Sequence, residues 1–146
     1  MAETINLVCP ACDTVNRVPA ARLDQDPKCG KCRHPLARPE PLKLRGPSFL
    51  KHLSKSGLPL LVDFWAPWCG PCRTMGPAFE QAARTLHPRL RPAKVNTEEE
   101  QDIAARYGIR SIPTMVLFEN GREKARISGA LPAEAIVDWV RGQLGG

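Results

Sequence analysis

Cys69 and Cys72 enclose Gly70-Pro71 and follow Trp65-Ala66-Pro67-Trp68, directly after the apolar run Leu60-Leu61-Val62-Asp63-Phe64. Two thiols at this spacing, where a strand gives way to a helix, support thiol–disulfide exchange. The spacing lets the sulfurs bond, and unpaired amide N–H groups with the helix dipole hold one of them partly as thiolate. On this reading Cys69, at the helix start, is the exposed nucleophile. Cys72, one turn further on, is the more buried thiol that resolves a mixed disulfide. A lone C-x-x-C is also compatible with half a metal site; the tryptophans, the preceding strand and the enclosed proline favour redox chemistry.

A second set of cysteines has different chemistry. Cys9-Pro10-Ala11-Cys12 and Cys29-Gly30-Lys31-Cys32 are two C-x-x-C pairs with the separation of a zinc ribbon. Each pair is expected on a tight turn whose amides bond the sulfurs, with Gly30 suiting the second. Four thiolates favour one closed tetrahedral Zn²⁺ site, with Cys-bound iron the alternative. Four cysteines complete the shell, which leaves His34 as a surface residue. His52 and His87 read as helix-surface and helix-end residues.

The elements that must position these groups follow from pattern and punctuation. Residues 1–37 hold the outer cysteines and too few apolar residues for a core of their own, so they form a small module that needs a staple. Residues 38–47 contain three prolines and a glycine and read as a semi-stiff linker, with Leu42 and Leu44 able to supply a short edge strand. From 48 to 146 helix and strand alternate. Ser48 is expected to cap a helix that Gly57 ends. Strands are expected at 60–65, 92–96, Thr114–Phe118 and Arg122–Ser128, the last two joined by an Asn120-Gly121 hairpin. A helix over 70–86 contains Pro77, which should kink it. Thr97 and Glu100 form a capping box opening a helix through Ile103 to Tyr107, and Pro132 starts a final amphipathic helix. This order predicts an α/β fold: a mixed central sheet with parallel crossovers and helices on both faces.

Composition excludes other classes. The formal charge of +6 suggests nucleic acid, but eight basic and five acidic residues fall in 1–46 and thirteen and ten in the remainder. Both parts are therefore equally basic with signs interspersed, and no Lys/Arg run or aromatic interleaving marks a nucleic-acid face. No apolar run approaches the roughly 18–20 residues that span a bilayer. Met1 to Val8 lacks a secretory pattern, so a reducing cytoplasm is expected, where six cysteines argue for metal binding and catalysis rather than a disulfide framework. No glycine-rich nucleotide motif is present, so neither NADPH nor flavin is expected on this chain.

From about Leu42 onward the chain resembles the thioredoxin family, and with its two outer C-x-x-C pairs it resembles the zinc-containing bacterial branch, thioredoxin 2. The resemblance implies a thioredoxin fold with an N-terminal zinc-ribbon-like module. Beyond Cys69-Gly70-Pro71-Cys72 it rests on Asp63 at the place of the family's buried carboxylate, Lys94 as its partner, Pro77, Ile112-Pro113-Thr114 as the cis-proline segment, and Gly129. It implies that Asp63, desolvated, accepts a proton as Cys72 attacks, with Lys94 opposing the upward shift of its pKa. Trp68, Gly70, Pro71, Ile112, Pro113 and Gly129 would face an extended client, and Trp65 would pack about the dithiol. Read alone, Asp63 is a strand-edge carboxylate, Lys94 a surface lysine and Pro113 a turn. The implied activity is protein-disulfide reduction within cell redox homeostasis and electron transport. Clients would be disulfide-containing proteins, and an NADPH-dependent thioredoxin reductase would recycle a monomeric chain. The proline between Gly70 and Cys72 resembles the reducing members. The rivals are a zinc-binding interaction scaffold without turnover, and a disulfide oxidase or isomerase. The zinc module is either structural or redox-responsive.

Overall fold

A computed structural model describes residues 3–145; Met1 and Ala2, from the expected zinc module, and Gly146, from the expected C-terminal domain, lie outside the described residues. Among the described residues no helix is long and apolar enough to cross a membrane. β1 (Thr4–Val8) and β2 (Val15–Pro19) form an antiparallel hairpin, followed by a short 3-10 turn at Ala20–Arg22. Then come β3 (Leu42–Lys43), α1 (Gly46–Lys55), β4 (Leu60–Trp65), α2 (Gly70–Leu86) and β5 (Arg91–Asn96). α3 (Gln101–Arg106), β6 (Thr114–Glu119), β7 (Arg122–Ser128) and α4 (Ala133–Gln143) complete the chain. The five later strands form one sheet in the order β3-β5-β4-β6-β7. β3 and β4 each run parallel to β5, whereas β6 runs antiparallel to both β4 and β7, so the sheet is mixed as expected. Its edges are the two-residue β3 and the largely exposed, charged β7.

Alternation along β4 sorts the core into two layers, because successive side chains point to opposite faces. Leu60, Val62 and Phe64 pack with Phe49 and Leu53 of α1 and Ile103 of α3. Phe49, Tyr107 and Phe118 meet edge to face there, with centroids 5.2–6.2 Å apart. Leu61 packs on the other face with Met75 and Phe79 of α2 and Ile136 and Val140 of α4. Asp63 shares the phase of Leu61 and so belongs to the face that α2 covers. The hairpin turn uses Asn120 and Gly121, both at positive φ, 54° and 78°, which suits the twist of the strands it joins.

The ribbon module has a small core of Leu7, Val18, Leu23 and Leu36 around Cys9 and Cys29, and it takes in Leu58 from just before β4. It is tied to the rest of the chain by polar contacts. Asn6 O accepts from Gly57 N at 2.8 Å, and Ser48 Oγ donates to Asp13 Oδ2 at 2.8 Å. Arg91 Nη2 donates to Val8 O at 2.8 Å, and Arg91 Nη1 donates to Leu36 O.

Three expectations fail here. Helix α1 starts at Gly46 with Arg45 at its cap; Ser48 bonds Asp13 instead of serving as an N-cap. The capping box of Thr97 and Glu100 does not form. Thr97 Oγ1 donates to Trp65 O, and Glu100 Oε1 accepts from Gly46 N at 2.7 Å, so both side chains join separate parts of the fold. His52 is not on a helix surface but is 1% exposed in the seam with the ribbon, and its Nδ1 has no partner.

Burial, then the positive charge of Arg91, holds His52 down at about 4, with Asp13 opposing. Between that value and its ordinary 6.5 the unfolded chain binds a proton that the folded chain refuses, so His52 costs stability as pH falls. Relative to His52→Met, the wild-type chain should therefore lose roughly 3 kcal/mol between pH 6.5 and 4. Urea unfolding at several pH values measures this; a difference constant with pH would show that His52 titrates as in water.

Candidate functional site

β4 delivers the chain to Pro67-Trp68, and α2 begins at Gly70 with Cys69 as its cap residue. Pro71 suits this first turn, where its missing N–H costs nothing. Cys69 and Cys72 form a disulfide, with Cα atoms 5.2 Å apart. Cys72 N donates to Cys69 Sγ at 3.2 Å, so an amide of the helix N-terminus points at that sulfur and would favour negative charge on it in the reduced pair. Pro77 lies inside α2 as expected.

The expected contrast between an exposed Cys69 and a buried Cys72 is absent: they are 5% and 3% exposed. The bridge turns both sulfurs into a small apolar cluster of Ala66, Trp65 and Ile112. Ile112 O lies 3.8 Å from Cys69 Sγ, and the Ile112-Pro113 peptide is cis. Pro113 O accepts from Gly129 N at 2.9 Å. Gly129 has φ +100° and nothing within 4 Å of where a Cβ would stand, so the backbone is open there. Cys69, Cys72, Ile112, Pro113 and Gly129 are thus brought together. Trp68, 64% exposed, projects beside the loop outside the cluster, and Gly70 and Pro71 sit exposed between the cysteines.

Asp63 is fully buried, and neither carboxylate oxygen has a hydrogen-bond partner. Burial pushes it up to about 7, and the charge of Lys94 opposes that rise. Lys94 stands opposite Asp63 in the β4–β5 register but makes no ion pair with it; its Nζ lies 4.9 Å from the centre of the Trp65 ring. A carboxyl so placed exchanges its proton near neutral pH, on the sheet face beneath the helix that carries Cys72.

The four outer cysteines converge. Their Sγ atoms all lie within 4.8 Å of one another, with Cys9 to Cys32 at 3.5 Å and Cys12 to Cys29 at 3.7 Å. Tetrahedral ligation by sulfur at about 2.3 Å needs sulfurs about 3.8 Å apart, so the set fits Zn²⁺. Ala11 N donates to Cys9 Sγ and Lys31 N to Cys29 Sγ, each at 3.4 Å, as knuckle turns should. The strained backbone falls on Asp13 and Arg33, with φ 61° and 68°, and not on Gly30. Gly30 N instead donates to Asn16 Oδ1 at 2.9 Å, while Asn16 Nδ2 donates to Cys29 Sγ. The amide of Cys32, helped by Asn16, brings Cys29 down to about 6, and burial pushes Cys9 up to about 12. His34 is exposed and outside the cluster.

Two residues that sequence reasoning missed stand between ribbon and sheet: His52 and Arg91, the latter 3% exposed. Neither carries a local signal. His52 occupies an ordinary helical position, and Arg91 precedes Pro92 at the start of an apolar strand.

The family model described as Thioredoxin matches residues 40–142, and that described as Thioredoxin 2, N-terminal matches residues 8–34. Thioredoxin C-3 of Corynebacterium nephridii is 43% identical over 138 residues, covering 94% of each chain. The chloroplastic M-type thioredoxin of Chlamydomonas reinhardtii is 39% identical over 126 residues, covering 84% of this chain and 90% of its own. Among solved structures, chloroplastic thioredoxin z aligns with TM-score 0.65 at 30% identity, over 71% of this chain and 94% of its own. A point-mutant thioredoxin of Halobacterium salinarum aligns with TM-score 0.66 at 31% identity, over 73% and 93%.

Proposed function

Because this chain belongs to the thioredoxin family and is a protein-disulfide reductase, we propose that its exchange runs through Cys69 and Cys72 with Asp63 as the buried proton acceptor. The observation that carries this is the Cys69–Cys72 bridge capping α2, with a helix amide on Cys69 Sγ. In the reduced chain the Cys69 thiolate attacks one sulfur of a client disulfide, and the other client sulfur leaves as a thiolate. Cys72, giving its proton to Asp63, then attacks Cys69 Sγ. The client leaves reduced, and the chain is left with the bridge described here. Lys94 limits how far Asp63 is raised. The cis peptide before Pro113, the open backbone at Gly129 and the projecting Trp68 form the surface for an extended client segment, with Gly70, Pro71 and Ile112 lining it.

Thioredoxins act on disulfide substrates and are reduced by thioredoxin reductase; we take the electron donor here to be an NADPH-dependent one, and the working form to be a cytoplasmic monomer. We assign residues 1–37 to a zinc module, 38–47 to the connection that includes β3, and the rest to the thioredoxin domain. Cys9, Cys12, Cys29 and Cys32 would hold one Zn²⁺. When bound, the ion orders the ribbon and has no open position for catalysis.

The test is insulin-disulfide reduction coupled to NADPH oxidation through a bacterial thioredoxin reductase. Turnover is expected. Its absence, with dithiothreitol also unable to drive reduction through the chain, would favour the scaffold reading. For the metal, native mass spectrometry of reduced, chelator-free protein should show one zinc per chain and two exchangeable thiols. A metal-free chain with six exchangeable thiols would remove zinc from the assignment.

A further inference from the structure

Arg91 is an anomaly in this fold. A guanidinium is charged at any working pH, and burying it is expensive unless a countercharge accompanies it. Yet Arg91 is 3% exposed, and among the described residues no carboxylate lies within ion-pair distance. Its Nε has no partner. Its two bonds go to carbonyls, Val8 O and Leu36 O, which are neutral. Asp13, whose Oδ2 accepts from Ser48, makes no ion pair with it.

The position of those carbonyls identifies what is missing. Val8 directly precedes Cys9, and Leu36 follows Cys32 by four residues, so the guanidinium spans the flanks of both knuckles. Four thiolates around one divalent zinc carry a net charge of about −2. We propose that Arg91 is the counter-cation of the metal–thiolate centre, so that the bound metal centre and the buried arginine neutralise each other across the seam between ribbon and sheet. This rests on the zinc assignment above. It makes Arg91 a positioning residue: it touches neither metal nor client, and its charge holds the loaded ribbon against the start of β5.

A purely mechanical tie predicts something different, and Gly57 separates the two. A Cβ at Gly57 would stand 2.8 Å from Ile5 Cγ2 and 3.1 Å from Asn6 N, so Gly57→Ala strains the same seam without changing its charge. The experiment measures zinc affinity of the full chain by competition with a chromophoric chelator. The ribbon's resistance to limited proteolysis is followed in parallel, and the thiolate-to-metal charge-transfer band is recorded after Co²⁺ substitution. Arg91→Met should weaken zinc binding at least tenfold, the scale of losing a residue that supports a metal's ligands. Arg91→Lys, which keeps the charge but loses the paired carbonyl bonds, should lose less than the roughly tenfold expected of Arg91→Met. Gly57→Ala should loosen the ribbon to protease while holding zinc as tightly as wild type. Unchanged affinity in Arg91→Met overturns the proposal, and so does a loss in Gly57→Ala equal to that in Arg91→Met. Should Arg91→Met fail to fold, Arg91→Lys decides: near-wild-type affinity supports the charge, and a tenfold loss overturns it. A wild-type chain that binds no zinc overturns both this proposal and the assignment beneath it.

Discussion

Cys72→Ser is expected to accumulate covalent complexes with its clients. Cys69 can still attack, but no second thiol remains to expel it, so the mixed disulfide persists. Incubated with oxidised client and separated without reductant, this variant should appear as a band of summed mass that dithiothreitol collapses. Cys69→Ser should give no such band. Its insulin-reducing rate should fall by more than roughly a thousandfold, the scale on which loss of a covalent nucleophile lowers turnover. The two cysteines are almost equally buried in the bridged form, so exposure does not distinguish them. What distinguishes them is the helix: Cys69 caps α2 and receives an amide, whereas Cys72 lies inside the first turn. Trapping by Cys69→Ser instead of Cys72→Ser would reverse the assignment.

Asp63→Asn should make the protein both slower and harder to unfold. Asp63 is held at about 7 against an ordinary 3.8, so between those values the folded chain keeps a proton that the unfolded chain releases. Stability from this group is therefore complete below pH 3.8 and is lost as pH rises through 7. The penalty above pH 7 is roughly 4 kcal/mol, or on the order of 10 °C in melting temperature. An asparagine at this position cannot ionise and escapes the penalty, so the variant's advantage should be largest at about pH 8 and vanish toward about pH 4. Insulin reduction at neutral pH should slow by about tenfold to a hundredfold, since water then replaces the buried acceptor for Cys72. Scanning calorimetry across pH reads the stability half. An advantage independent of pH would mean that Asp63 is unshifted. His52 has the opposite sign over pH 4 to 6.5, so the two contributions oppose each other there, and each single variant removes one of them.

What the sequence made legible was chemistry fixed by neighbours along the chain. The α2 start at Cys69, the Asn120-Gly121 turn and the knuckle within each outer C-x-x-C pair all depend on residues a few positions apart. The cis peptide before Pro113 was legible only through family resemblance, since a proline alone reads as a turn. What stayed hidden was set by distant partners. Thr97, Glu100 and Ser48 have the right types for helix caps, but each found a stronger bond elsewhere: at Trp65, Gly46 and Asp13. His52 and Arg91 are buried because the ribbon docks on them, an event with no trace in local periodicity. The expectation of an exposed Cys69 failed similarly, because Ile112 arrives from a remote loop to cover it.

The central sheet ends on β3, two residues long, and on β7, whose outward positions include Arg122, Glu123, Lys124 and Arg126. Unpaired strand edges recruit stray polypeptide, and shortness and charge are the features that prevent it. A reductase must come close enough to other polypeptides for sulfur to meet sulfur, where an unpaired strand edge is a hazard. With both margins of its sheet blunted, this chain offers other polypeptides little purchase along either edge. Blunt margins thus favour brief encounters over lasting adhesion between this chain and the proteins whose disulfides it reduces.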